Sequence, residues 1–339
     1  MDDASGETSD DVAVRRDIIV VGASAGGVAA LVTLAATLPR DLPAAVLIVL
    51  HIGAHRSVLP ALLQTRSGNR AVHAEDGQPI EPGTLYVAPP DHHMLVEQGV
   101  IRLTRGPKEH HTRPAVDPLF RTAALAYGPR VIGVVLTGRL DDGTAGLQAI
   151  KDCGGVAVVQ DPAEAEHRSM PLSALQSVPV DRCVSLASMA QTLLQLVAEP
   201  VVAAEPPPEA RQRLAREIAV TTDGKNPMED LDAIGTPSRI TCPDCGGVLW
   251  EISDTRTPRY RCHTGHAFSL RSLCATQDST SEDALWAAIR ALQAREVLQR
   301  KLADENRRAG DAESTTQHEA KADEAARLAR QLHLLLEQP

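Results

Sequence analysis

Aromatic side chains are scarce in this chain: two Trp, three Tyr and two Phe among 339 residues. A surface that stacks successive nucleobases is therefore excluded, and the core must be built from Val, Leu, Ala and Ile. No apolar run approaches the roughly 20 residues of a membrane-spanning helix. Excess positive charge is also missing. A net charge of −10 argues against a broad nucleic-acid or anionic-membrane surface. Cysteines number six, too few in so long a chain for a disulfide framework. The opening stretch MDDASGETSDDVAV is acidic and lacks the charged-then-apolar plan of a signal peptide. Residues 1–14 are expected to be a disordered leader, and the protein to be cytoplasmic.

What the chain does have is concentrated at residues 17–27, DIIVVGASAGG. An apolar run leads into a Gly-rich turn, and a helical pattern opens behind it. This reads as a buried parallel strand, a tight turn and a helix. Three readings of the turn stand side by side. Gly22-Ala23-Ser24-Ala25-Gly26 matches the G-x-S-x-G elbow that lifts a nucleophilic hydroxyl above a sheet. A dinucleotide loop would need a glycine where Ser24 stands, so that the backbone could approach a pyrophosphate. A simple helix cap would use the same serine structurally.

Similar runs follow at 44–50 (AAVLIVL), 131–136 (VIGVVL) and 156–159 (VAVV), with helical patterns between them. Residues 94–96 and 100–103 read as a hairpin. Over 15–197 the pattern predicts one α/β domain with a doubly wound, mostly parallel sheet. Residues 198–237, with the run AAEPPP, read as a linker carrying one short helix. Residues 238–274 form a compact Cys/His module, and 281–337 read as two helices with a break near Gly310.

Ser24, His51 and Asp142 each fall just past the end of a separate buried strand, and open α/β sheets bind ligands on that rim. A hydroxyl, an imidazole and a carboxylate are the parts of a Ser-His-Asp triad. Singly, each has a structural alternative: a helix cap for Ser24 or Asp142, a carbonyl-bonded imidazole for His51. Asp141 competes with Asp142. The amide of Ala25, at the helix start, is a candidate oxyanion donor. Arg113 reads either as a substrate-facing anchor for a carboxylate or amide, or as a member of a surface Arg113–Asp117 pair.

In the module, Cys242, Cys245, Cys262 and His266 have the C-x2-C-x16-C-x3-H spacing of a four-ligand structural zinc ribbon, with His263 as an alternative fourth ligand. Such a closed site has no open position for catalysis.

The segments VVGASAGG, VLIVLHIGAH, LYVAPPDHHMLV, HTRPAVDPLFRTAA, LTGRLDDGTAG and GGVAVVQDPAEAEHRSMPLSAL follow one another with the spacing of a known family. Residues 15–197 resemble the catalytic domain of chemotaxis protein-glutamate methylesterases (CheB). The resemblance implies a serine hydrolase that removes methyl esters from glutamyl side chains of chemoreceptors. Some members also deamidate receptor Gln. It makes Ser24 the nucleophile, His51 the base, Asp142 the orienting acid and the amide of Arg139 an oxyanion donor. Two departures stand out. The family usually has Met-Gly where Arg139-Leu140 stands, so Leu140 would be strained if that position takes a positive φ. The family's usual receiver domain has no counterpart in the short leader, so control is expected to come from a partner or from the C-terminal half. The CPDCGG…RCHTGH pattern with its helical tail resembles extensions on some CheB-like proteins and suggests a docking platform for an unnamed partner. On that reading, a 1–200 fragment keeps the chemistry. The competing class is a non-catalytic signalling adaptor. A nucleotide-binding domain is disfavoured by Ser24 and by the lack of an acidic ribose partner.

Overall fold

The computed structural model describes residues 14–52, 54–201, 207–222, 225–253 and 256–337. Nearly all of the leader at 1–14, and the first four residues of the AAEPPP run, lie outside them. Among the described residues no helix is long and apolar enough to cross a membrane.

A seven-stranded sheet forms the centre. Its strands are β1 (Ile18–Ala23), β2 (Ala45–Leu50), β3 (Arg70–His73), β4 (Thr84–Val87), β7 (Val131–Val135), β8 (Val156–Gln160) and β9 (Arg182–Val184). They run in the order β3-β4-β2-β1-β7-β8-β9, and every pairing is parallel. The two remaining strands of this region, β5 (His93–Glu97) and β6 (Val100–Thr104), form the expected hairpin. Strand β3 had no clear signal: only Ala71 of its four residues is buried, as befits a sheet edge.

The sheet is apolar on both faces, as a parallel sheet covered by helices must be. Side chains alternate along β1. Ile18 and Val20 join one core with Leu119, Phe120, Leu147 and Met170, from helices α3 (Val116–Tyr127), α4 (Thr144–Asp152) and α5 (Ser169–Ser177). Ile19, Val21 and Ala23 join the other, with Leu31, Leu34, Leu63 and Leu193, from α1 (Gly27–Thr37), α2 (Leu59–Arg66) and α6 (Leu186–Ala198). Chain direction switches sides at β1, whose neighbours are β2 and β7. A crevice at the strand ends is dictated there.

The stretch read as a linker with one short helix holds that helix and more. Helices α7 (Pro208–Thr222) and α8 (Pro227–Ile234) bury Leu214, Val220, Leu231 and Ile234, and β10 (Gly235–Thr241) follows directly. These apolar residues are too widely spaced among charges to stand out in the sequence; Leu214 joins the core of the parallel sheet, far away in the chain. Val220, Leu231 and Ile234 pack with Trp250 and Ile252 in a small core of their own. Strands β10, β11 (Val248–Ile252), β12 (Arg259–Cys262) and β13 (Ala267–Ser269) form an antiparallel sheet in chain order. This module belongs to the same compact unit as the parallel sheet, and the unit ends at Ser272.

Residues 273–339 are the second unit. The helical tail starts earlier than the periodicity indicated: α9 spans Leu270–Ala309 and α10 spans Ala312–Leu336. Gly310 turns the chain between them with φ of 80°. The packed face of α10 is made of Ala322, Ala325, Ala326 and Ala329, whereas Leu335 is exposed. Small residues let two helices approach closely, and Arg300–Asp323 at 3.2 Å and the Trp286–His333 ring contact edge this unit.

Candidate active site

Ser24 follows β1, His51 follows β2 and Asp142 follows β7, so three adjacent strands deliver the three side chains to one rim. His51 Nδ1 lies 3.1 Å from Ser24 Oγ, and its Nε2 lies 2.7 Å from Asp142 Oδ2. In this orientation Nδ1 faces the hydroxyl and Nε2 the carboxylate. The tautomer able to accept the serine proton is therefore the one with hydrogen on Nε2.

Asp142 is buried, at 2% exposure. The N–H groups of Val116 and Asp117, at the start of α3, donate to its two oxygens at 2.7 and 3.0 Å. A carboxylate at a helix N-terminus meets unpaired amides and the positive end of the helix dipole. Burial alone would push the Asp142 pKa up. The charge of His110, the His51 contact and the Val116 amide outweigh it and hold the group well below the usual carboxylate range. Asp142 thus caps α3 rather than the helix that follows it. Asp141 takes no part: it accepts from Ser269 Oγ at 2.7 Å, and burial raises its pKa.

The turn after β1 is held tightly. Gly26 has φ of 75°, and a Cβ there would meet Glu166 at 2.9 Å. Gly138 faces Ser24 so closely that a Cβ would lie 2.9 Å from the serine Cβ and 2.0 Å from Met170 Sδ. Thr137, which carries this loop, was not singled out from the sequence. Its N–H donates to Gln160 Oε1 at 2.8 Å, and its hydroxyl donates to Ala25 O at 3.1 Å. A buried glutamine closing a strand was the available signal for this support. Among the described residues, the backbone N–H groups of Ala25 and Arg139 donate to no backbone acceptor outside the regular elements. Beside Ser24 lies an open groove whose apolar lining includes Val28, Val32, Leu50, Ile52 and Leu62.

Arg113 is engaged differently from either expectation. Its Nε and Nη2 donate to Asp91 Oδ1 at 2.9 and 2.6 Å, and Nη1 donates to the carbonyls of Arg105 and Gly106. Four of its five N–H donors are spent within the protein, so no free fork is presented to a substrate, and Asp117 is not its partner.

Leu140 has φ of 60°, the left-handed region that a branched side chain enters at a cost of about 1–2 kcal/mol. It is also 41% exposed, so it gains only part of the burial a core leucine would. Leu140→Gly should raise stability by about 1 kcal/mol, seen as a rise of about 2 °C in the thermal midpoint. An unchanged or lower midpoint would show that the side chain is held by contacts worth more than the strain.

In the module, the ligating atoms of Cys242, Cys245, Cys262 and His266 all lie within 4.8 Å of one another. Cys245 and Cys262 Sγ are 3.7 Å apart, and His266 Nδ1 is 3.5 Å from Cys262 Sγ. Zn–S bonds of about 2.3 Å in a tetrahedron place sulfurs about 3.8 Å apart, so the four residues fit a metal ion. His263 is not in this cluster; its ring lies beside Gly247.

A family model for CheB methylesterase matches residues 19–193, just over half of the sequence. The chain belongs to the CheB methylesterase family. A Leptospira interrogans protein is 40% identical over 182 residues, which cover 53% of this chain and 94% of that one. A Methanosarcina mazei protein-glutamate methylesterase/protein-glutamine glutaminase is 36% identical, over 54% of this chain and 52% of its own length. The crystal structure of the Thermotoga maritima CheB methylesterase catalytic domain aligns with a TM-score of 0.53 at 31% identity, covering 54% of this chain and all of that one. These similarities bear out the expected α/β fold. Within the CheB family frame, Ser24, His51 and Asp142 are the strand-end residues that the structure brings into hydrogen-bond contact.

Proposed function

We propose that this CheB-family chain hydrolyses methyl esters of glutamyl side chains on chemoreceptor-type signalling proteins, with Ser24 as nucleophile. The observation that carries the reading is the Ser24–His51–Asp142 hydrogen-bond chain at the strand-end crevice. In this mechanism the Ser24 hydroxyl gives its proton to His51 Nδ1 while Oγ bonds to the ester carbonyl carbon. Asp142 keeps the ring in the competent tautomer and stabilises it once charged. The amides of Ala25 and Arg139 receive the oxyanion. The intermediate collapses, the C–O bond to methoxide breaks, and His51 returns the proton to give methanol. Water repeats the sequence and releases glutamate. The same steps on a glutamine would expel ammonia, so deamidation uses the same machinery. The apolar groove beside Ser24 suits the side of a substrate helix. Release of methanol from a methyl-esterified chemoreceptor fragment, dependent on Ser24, tests this reading.

The ion we assign to the Cys/His cluster is a structural Zn²⁺, since three thiolates and an imidazole leave no open position. A purified chain should carry about one zinc atom, and chelation should expose Trp250, which is buried on β11. A metal-free chain with unchanged Trp250 emission would remove zinc from the fold of this module. The second reading, a signalling adaptor with little turnover, draws on the strained Leu140 beside the oxyanion loop. A folded chain that binds a receptor fragment yet releases no methanol would favour it.

A further inference from the structure

The segment between β6 and α3 contains a turn that the proposed mechanism does not use, Glu109-His110-His111-Thr112. Thr112 N–H donates to Glu109 O at 3.0 Å, closing it. Both central residues have positive φ, 51° at His110 and 61° at His111. Such turns ordinarily take Asn-Gly, because a Cβ crowds the backbone there. Two adjacent histidines in this conformation are strained, so other contacts must hold them.

Those contacts come from the C-terminal module. His110 N–H donates to Ala267 O at 2.8 Å, and Arg261 Nη1 donates to Glu109 Oε1 at 3.1 Å. The His110 ring is buried between two sides. Its Nδ1 lies 3.1 Å from Ser272 Oγ. Its Nε2 lies 2.9 Å from Asp117 Oδ2 and 3.6 Å from Asp142 Oδ1. Ser269, three residues before Ser272, bonds to both Ser272 and Asp141. Asp142 is thus flanked by two imidazoles, His51 at Oδ2 and His110 beside Oδ1. The second is oriented by a serine pair from the far end of the module. His110, Asp117 and Asp142 are close enough to share a metal ion. Their oxygens, however, already accept from the amides of Val116, Asp117 and Gly146 and from both imidazoles, which leaves no open ligand set.

We propose that His110 is a positioning residue for the triad carboxylate, and that Ser269 and Ser272 set its orientation. The C-terminal module is then a working part of the hydrolytic site rather than an appended docking platform. This rests on the esterase reading above. Among the described residues, the ionised groups facing the ring include Asp117 on α3, whose Oδ2 also lies 4.0 Å from Arg121, and Asp141 and Asp142 after β7; Glu109 precedes it on its own turn, paired with Arg261 of the module, and Ser272 Oγ is the module's neutral contact. Burial disfavours a charge on His110, yet Asp142, Asp117 and Asp141 outweigh it and raise its pKa to about 9. A cation beside Oδ1 offsets part of the Asp142 charge and leaves Oδ2 to His51.

The test uses full-length His110→Gln, Ser272→Ala and the parent. We expect kcat for methyl ester hydrolysis to fall about tenfold in His110→Gln with little change in KM, and labelling of Ser24 by a fluorophosphonate to slow in step. Loss of the cation strengthens the hold of Asp142 on protonated His51, so the acid limb of kcat/KM should move to higher pH. Ser272→Ala should show the same changes more weakly. A loop that is merely loosened would lower kcat without moving the limb. Unchanged labelling and an unmoved limb in folded variants would overturn the proposal. If His110→Gln does not fold, Ser272→Ala, which keeps the imidazole, carries the same readouts. A parent chain inert to the fluorophosphonate would defeat the esterase reading instead. The low-field proton resonance of His51 Nε2–H would then decide: a shift in the variants supports the tie between His110 and Asp142, and no shift refutes it.

Discussion

Ser24→Ala should lower methanol release by about 10⁴-fold or more while leaving the thermal midpoint and the metal content of the purified chain unchanged. The side chain loses one oxygen, whose side-chain partner among the described residues is His51 Nδ1. The turn itself is held by Gly26, Gly138 and Thr137, none of which depends on that hydroxyl. The loss therefore falls on chemistry rather than on folding. Because the three residues act as a unit, adding His51→Ala to Ser24→Ala should cost little more. A Ser24→Ala chain that still turns over its ester would end the nucleophile assignment. A loss that multiplies on adding His51→Ala would mean the two residues work independently. Either outcome is read from the same methanol assay.

The second large effect is structural. Glu109→Gln should destabilise the first unit by about 3–5 kcal/mol. Glu109 is 1% exposed and accepts from Arg121 at 2.7 Å and from Arg261 at 3.1 Å. Glu217 extends the cluster to Arg259 at 2.8 Å and again to Arg261 at 3.2 Å. Two helices, one turn and one strand of the module meet at these five side chains. Removing the Glu109 carboxylate leaves the buried guanidinium groups of Arg121 and Arg261 sharing Glu217 with Arg259, an excess of buried positive charge that is costlier than never having built the cluster. Burial pushes Glu109 towards its neutral form, but Arg121 and Arg261 overwhelm it and hold its pKa at about 2, below the ordinary 4.5. Glu217 is lowered in the same way by Arg259, Arg121 and Arg261. A depressed folded pKa adds stability that is complete above the unfolded value and is lost as pH falls through the folded one. Acid unfolding should therefore set in below about pH 4.5 and deepen towards pH 2. In Glu109→Gln that dependence should be shallower. Chemical denaturation at pH 7, 4 and 3 measures both effects, and equal slopes in parent and variant would contradict the linkage.

Much of the catalytic half was legible as sequence. The runs at 18–23, 44–50, 131–136 and 156–159 are continuous and apolar because parallel strands are covered on both faces. Their C-terminal ends carry Ser24, His51 and Asp142, and a parallel sheet places such ends on one rim by its topology alone. The four zinc-ligand candidates were legible from local spacing, since a thiolate pair two residues apart needs no distant partner to be recognised. The competition between Asp141 and Asp142 could not be decided that way. Adjacent residues point in different directions, and only the packed loop sends Asp142 to His51 and Asp141 to Ser269.

The sequence by itself determined the strand order of chemistry along the chain, the apolar sheet and the Cys/His cluster, because these follow from periodicity and short spacings. Tertiary structure alone decided three things. It added helix α8 and strand β10 after the one helix expected there, and buried their apolar side chains against the module and the sheet core. It spent Arg113 on Asp91. It also joined the C-terminal module to the rim through Arg261–Glu109 and Ser272–His110, contacts spanning 152 and 162 residues. The physical reason is common to all three. A buried charge or hydroxyl can be satisfied by any partner of the right kind, and nothing in the local sequence says which one the folded chain will bring.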